Sequence, residues 1–286
     1  MLYLWLVFAS FLWGSNVLVM RYMLEYTSSI FLAFLKILLS MAAIFFIIKY
    51  KQINLKRYPF KLTLIVSLFS ITLNFILTFA GLNLISGSFN AIINSLAPLI
   101  TIVLARIFFK QSISKNQMIA LLIACLAFSV SINFNFFRLS WGHLLMISGV
   151  TLYCSGNLII QHHFKTDDNL PFTLYYQLFA AIQLLFLTLI IPANNQLDQI
   201  SLLLWILFVV FSGIGFAIIQ IIYFKALLEI GSVKASFLLG LNPVFTYIGS
   251  LLLQEQFDLS RFMAMVLLVI AMIIANVKLE GSSTDK

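Results

Sequence analysis

The chain has 286 residues, 62% of them hydrophobic and 9% charged, with a mean hydropathy of +1.08 and a formal net charge of +8. Soluble domains carry roughly 25% charged residues, so these values exclude a soluble core and point to an all-α integral membrane protein. The apolar runs are too long, and alternate too little, for the ~10-residue strands of an outer-membrane barrel.

Spanning a bilayer takes about 20 predominantly apolar residues per helix. Ten segments of that kind lie between clusters of charge and turn residues, at roughly 2–20, 29–48, 60–82, 87–109, 116–133, 143–163, 171–191, 202–224, 232–253 and 261–277. The first has no basic residue ahead of its apolar run and carries Trp13, Gly14, Ser15 and Asn16 in its second half, so it is expected to be a retained helix rather than a signal peptide. The second holds Lys36, the one basic side chain well inside a span, eight residues and so ~12 Å from Ser28. An intramembrane charge is functional by default, here as counter-ion for a substrate carboxylate or phosphate; the alternative is a stem that snorkels to the headgroups.

Segments three and four each carry polar residues one turn apart, Asn74 with Thr78 and Asn90 with Asn94, so each pair projects to one side of its helix. In hydrocarbon such groups either join helices through hydrogen bonds worth ~0.6 kcal/mol on average or line a wet cavity and hold a substrate. Trp13 and Asn16 of segment one lie at a depth comparable to Tyr153 and Asn157 of segment six. An aromatic beside an amide offers a stacking face with a polar anchor, and plain packing is the competing role. Gln177 in segment seven and Gln220 in segment eight complete the candidate substrate-binding set.

Segments four and nine repeat one another. Gly87, Ala91, Ser95, Pro98 and Thr101 return 145 positions later as Ser232, Ser236, Gly240, Pro243 and Thr246. Small residues four apart share a helix face and admit a close neighbour, while the Pro beyond them forbids a backbone hydrogen bond. Such paired, Pro-interrupted helices point to a transporter with its site at the repeat interface, and their small residues and prolines are the expected gating and packing positions. Five helices per copy is an odd number, so the second copy enters from the other side: two inverted five-helix repeats are expected over 1–135 and 141–278, with a tail over 279–286. Asn90 and Asn94 answer to Ala235 and Leu239, which places the expected substrate contacts mainly on the first-half copy.

The charge is distributed as a topology signal. If the N-terminus is cytoplasmic, thirteen basic residues fall on the inner side against Arg21, Arg138 and Arg261 outside, with Lys36 within a span, so both termini are expected in the cytoplasm. No basic run interleaved with aromatics suggests nucleic acid as a partner. Cys125 and Cys154 sit deep in apolar runs and are expected to be buried free thiols. All nine acidic residues fall at loops, helix ends or the tail, so no embedded carboxylate is expected to carry a proton or pair with a lipophilic cation. Neither a catalytic constellation, nor metal-ligand spacing, nor a phosphate-cradling glycine loop is found, which speaks against an enzyme, a metal and any cofactor.

Several motifs in order carry a resemblance: Trp13-Gly14-Ser15-Asn16, then Lys36, Phe79-Ala80-Gly81-Leu82 leading to Ala97-Pro98, and Tyr223-Phe224-Lys225-Ala226-Leu227 leading to Asn242-Pro243 and Gln254-Glu255. The pattern is similar to EamA-type members of the drug/metabolite transporter superfamily and covers nearly the whole chain. The resemblance implies ten helices, an inverted duplication, a bacterial inner (plasma) membrane location and transport of small metabolites, often amino acids or related compounds outward. The chain departs from the pattern at Gln111, where an acidic residue is usual, and at Lys36, where Arg is usual. Lys keeps the charge and gives up the flat bidentate clamp.

These observations lead to a secondary-type transporter of small polar metabolites, an amino-acid or metabolite exporter working by alternating access, as a monomer or homodimer in the lipid bilayer. The alternatives are a transporter of amphipathic compounds or amines, a lipid flippase, or a non-transporting receptor.

Overall fold

The computed structural model describes residues 2–55, 57–94, 96–134, 139–164, 169–191, 193–231, 235 and 241–276. It is all-helical. The long apolar helices are α1 (Leu2–Met23), α2 (Ser29–Tyr50), α3 (Phe60–Leu82), α4 (Gly87–Asn94 and Ala97–Phe109), α5 (Lys115–Ser131), α6 (Trp141–His163), α7 (Asn169–Ile190), α8 (Leu202–Ile230), α9 (Asn242–Leu252, with Ala235 also helical) and α10 (Leu259–Asn276). Seven of the described helices are long and apolar enough to cross a membrane, and α5 and α10 are shorter apolar helices. Large apolar side chains such as Phe46, Leu122, Phe186 and Leu203 are exposed on the outside of the bundle, as lipid contact requires.

Successive helices alternate in direction, so one face of the bundle holds Lys49, Lys51, Arg57, Lys61, Arg106, Lys110, Lys115 and Lys225, and the opposite face holds Arg21 and Arg261. We call the first the basic face. The eighth helix overruns its expected end and continues through Lys225 to Ile230, where Lys225 and Glu229 pair at 3.7 Å on an exposed turn. That extra turn is polar enough to leave the bilayer, which is why hydropathy stops short of it.

The fourth span is broken where the sequence places Pro98. Pro98 has no N–H and its ring collides with the carbonyl four residues back, so the helix stops at Asn94 and restarts at Ala97, with Leu96 as its N-cap. Pro243 likewise opens α9, behind Leu241 as N-cap. The expected gating positions Ser95, Ser232, Ser236 and Gly240 lie outside the described residues, and Gly87 and Ala91 lie in α4 without described surroundings.

Each broken helix is gripped by the first helix of the other half. A Cβ on Gly14 of α1 would meet Phe245 Cβ at 2.8 Å and the backbone of Thr246 and Asn242 at 2.9 and 3.0 Å, so only glycine lets α1 and α9 approach this far. At the corresponding place in α6, Cys154 Sγ donates to the Ala97 carbonyl at 3.4 Å. The two halves are thereby interleaved rather than side by side.

A further close contact follows a heptad spacing. Gly142, Gly149 and Gly156 lie on one face of α6, and a Cβ at each would collide with α3 or the residues after it: with Leu84, Ile85 and the Gly81 carbonyl, with Thr78 and Asn74, and with Ser70. Small residues of this kind supply backbone proximity in membranes, where apolar surface alone gives no drive to associate.

Both α3 and α8 contain a π-helical stretch, Leu68–Leu73 and Phe208–Ile214, at matching positions in the two halves. In α3 the stretch is braced from α7: Gln183 Nε2 donates to the Leu64 carbonyl at 3.2 Å and to Ser67 Oγ at 3.1 Å, while Thr72 Oγ1 donates to Gln183 Oε1 at 2.5 Å.

Candidate functional site

A cavity of about 70 Å³ lies in the middle of the bundle. Helical periodicity builds its wall. Trp13, Asn16, Val17 and Met20 form one stripe of α1, Asn74, Phe75, Thr78, Phe79 and Leu82 one stripe of α3, and Asn90, Asn94 and Ala97 one stripe of α4. Lys36, Val150, Tyr153, Tyr223 and Asn242 complete the lining from α2, α6, α8 and α9. The contributions of α1 to α4 come from the halves of those helices nearer the opposite face.

Lys36 is 2% exposed, and its ammonium lies over the rings of Phe216, Phe75 and Phe79 at 4.2, 4.5 and 5.6 Å. The stem therefore points into the lumen and not towards the headgroups. Among the described residues the acidic groups are engaged or distant: Glu229 pairs with Lys225, Glu255 and Asp258 pair with Arg261 at 2.9 and 3.3 Å, and Glu25 and Asp198 lie in connecting segments. Aromatic faces return ~0.5–2 kcal/mol to a buried cation, whereas withdrawing an ion from water costs several kcal/mol. The aromatic cage thus orients the amine without supplying a counter-charge.

The amides are oriented by backbone carbonyls, which only accept. Asn74 Nδ2 donates to the Gly149 carbonyl at 2.9 Å, and Asn94 Nδ2 donates to the Asn90 carbonyl and side-chain oxygen at 3.0 and 2.9 Å. Both N–H groups of Asn94 are thereby used, so it offers oxygen to a ligand, whereas Asn74 uses one N–H and presents its oxygen beside the other. Thr78 is turned back onto the Asn74 carbonyl at 2.7 Å. Asn16 is buried, and its Oδ1 has no hydrogen-bond partner among the described residues. Trp13 meets Tyr153 edge-on at 5.9 Å and Phe216 at 6.3 Å, which holds the indole as a wall of the cavity.

The structure brings Trp13, Asn16, Lys36, Asn74, Asn90, Asn94 and Tyr153 to one cavity. It places three other expected residues outside the lining. Asn157 Nδ2 donates to the Tyr223 hydroxyl at 3.2 Å, Gln177 Nε2 donates to Ser40 Oγ at 3.0 Å between α7 and α2, and Gln220 is 2% exposed on α8. Sequence reasoning assigned no contact to Tyr223 or Asn242, although both stood in motifs it quoted. Asn242 bears on the expected asymmetry, because it occupies in the second half the place of Ala97 in the first, and both line the cavity. The ring cage from Phe75, Phe79 and Phe216 was hidden among 29 phenylalanines.

The EamA-like transporter family profile matches residues 1–133 and again 140–277. Among curated proteins the chain is similar to one described as the uncharacterized transporter YyaM of Bacillus subtilis (strain 168), at 25% identity over 210 residues, covering 70% of this chain and 68% of that one. A solved structure described as a crystal structure of a protein superposes with a TM-score of 0.72 over 95% of both chains at 14% identity, a likeness of fold.

Proposed function

This chain belongs to the EamA-like transporter family, and from that premise we propose that it is a secondary-type exporter of small polar metabolites bearing a carboxylate, with amino acids as the best fit, working by alternating access. It is a multi-pass membrane protein and not an enzyme. The observation that carries the substrate class is the Lys36 ammonium, held in an aromatic cage on the cavity wall with no acidic partner among the described residues. A carboxylate supplies the missing charge. The oxygens of Asn74 and Asn94 and the faces of Trp13 and Tyr153 suit an ammonium at the other end of the same solute.

A lipophilic cation fits this site poorly, since Lys36 repels it and the described residues of the cavity wall include no acid. The excess of Lys and Arg on the basic face supports a cytoplasmic location for that face and for both termini, in a bacterial inner membrane. The cavity then draws mainly on the outer halves of α1 to α4. A thermal-shift screen of purified protein against amino acids, nucleobases, amines and nucleotides tests the reading: zwitterionic or anionic compounds should raise Tm, and stabilisation by amines alone would overturn it.

A further inference from the structure

Beneath the cavity, towards the basic face, four buried polar atoms from three helices face one another or Tyr223 without a well-formed hydrogen bond among the described residues: Ser70 Oγ of α3, Tyr153 OH and Asn157 Oδ1 of α6, and Tyr176 OH of α7. They are neighbours. Ser70 sits so close to Gly156 that its Cβ and Oγ occupy the space a Cβ there would need, next to Asn157. The Tyr176 phenol faces Ser70, and the Tyr153 hydroxyl lies beside the Tyr223 hydroxyl and the Asn157 amide, with the Tyr153 and Tyr223 rings stacked at 6.1 Å. The Asn157–Tyr223 hydrogen bond joins α6 to α8 through the middle of this layer.

Immediately below, the lumen is filled with rings. Phe172 packs on Tyr176, Phe164 and Phe224 at 5.8, 4.4 and 5.6 Å, and Tyr58 closes over Phe172 at 5.4 Å. From the basic face a cleft lined by Phe109, Gln111, Gln161 and His162 reaches Leu158, the residue after Asn157.

Poorly paired polar atoms in an apolar interior are a standing cost that hydration removes. Packing alone would favour Phe and Ala at these places. Their presence is explained if the layer is wet in another arrangement of the same helices. We propose that Ser70, Tyr153, Asn157, Tyr176 and Tyr223 form the gate on the basic-face side of the substrate cavity, closed here by the Asn157–Tyr223 bond and hydrated when the aromatic plug parts. This rests on the alternating-access reading above. The matching π-helical stretches of α3 and α8 carry or adjoin the gate helices at Ser70 and upstream of Tyr223, which gives both helices a turn that can rewind.

The test reads accessibility instead of flux. In the full chain in oriented membrane vesicles, with Cys125→Ala and Cys154→Ser as background, Ser70→Cys is reacted with a membrane-impermeant methanethiosulfonate added on the side of the basic face. Slow labelling is expected, rising at least tenfold when Asn157→Ala or Tyr223→Phe removes the bond, while Asn94→Cys reacts from the opposite face. Tyr223→Phe keeps the ring, so a folded variant is secured if Asn157→Ala is lost. Labelling of Ser70→Cys only from the opposite face, or no rise in either variant, would overturn the gate. Flux of labelled amino acids is measured separately. Flux without basic-face labelling refutes the gate and leaves the transport reading standing, whereas gated labelling without flux refutes the transport reading alone.

Discussion

The two halves of the lumen differ in kind although the same helices build both. Around Lys36 the wall alternates amides with rings around open space; from Tyr176 to Tyr58 the rings pack on one another and fill the lumen. The difference is one of commitment. Recognition needs fixed groups, and Asn74 of α3 and Asn94 of α4 are fixed by turning their amide nitrogens onto the Gly149 and Asn90 carbonyls. Retention needs a barrier that can be undone, and stacked and tilted rings around a thin polar layer can part without breaking a network of strong bonds.

The severest way to break the closed half is Gly156→Leu. A Cβ there would meet Ser70 Oγ at 1.6 Å, so the side chain must push α3 from α6. Overpacking of this kind costs about 3 kcal/mol, and a fall in Tm of roughly 6–12 °C in detergent is expected. Leucine at the exposed Ile182 on the lipid side, as Ile182→Leu, should leave Tm unchanged.

The polar half is broken next most strongly by Trp13→Ala. Loss of the indole wall is expected to lower apparent substrate affinity about 30-fold, or ~2 kcal/mol, with little change in Tm. Asn242→Ala sharpens the comparison between repeats: about a fivefold loss of affinity, ~1 kcal/mol, is expected if the second-half Pro helix contributes a contact. Gln183→Leu should have the smallest effect. It removes the brace of the α3 π-helical stretch and is expected to lower Tm by roughly 1–2 °C, in line with ~0.6 kcal/mol for interhelical hydrogen bonds.

Much of this was legible in the residues. Segment lengths follow from hydropathy, the breaks at Pro98 and Pro243 from the chemistry of proline, and the shared faces of Asn90 and Asn94 from helical spacing. What a helix meets is not written in its own period. Gly142, Gly149 and Gly156 form a stripe only because α3 lies against them, and Gln177 leaves the cavity because Ser40 of α2 faces it at hydrogen-bond distance. The same holds for Tyr223, whose motif was visible and whose position opposite Asn157 was not.

Lys36 is where the account is most exposed. In proteoliposomes loaded for counterflow, uptake of a zwitterionic amino acid and of its carboxamide is compared for the native chain, Lys36→Arg and Lys36→Gln. The predicted result is that Lys36→Gln lowers uptake of the amino acid at least 30-fold, Lys36→Arg retains most of it, and the carboxamide, already poor, changes little. Equal loss for both compounds in Lys36→Gln, or unimpaired amino-acid uptake, would contradict the claim that this ammonium holds the substrate's carboxylate.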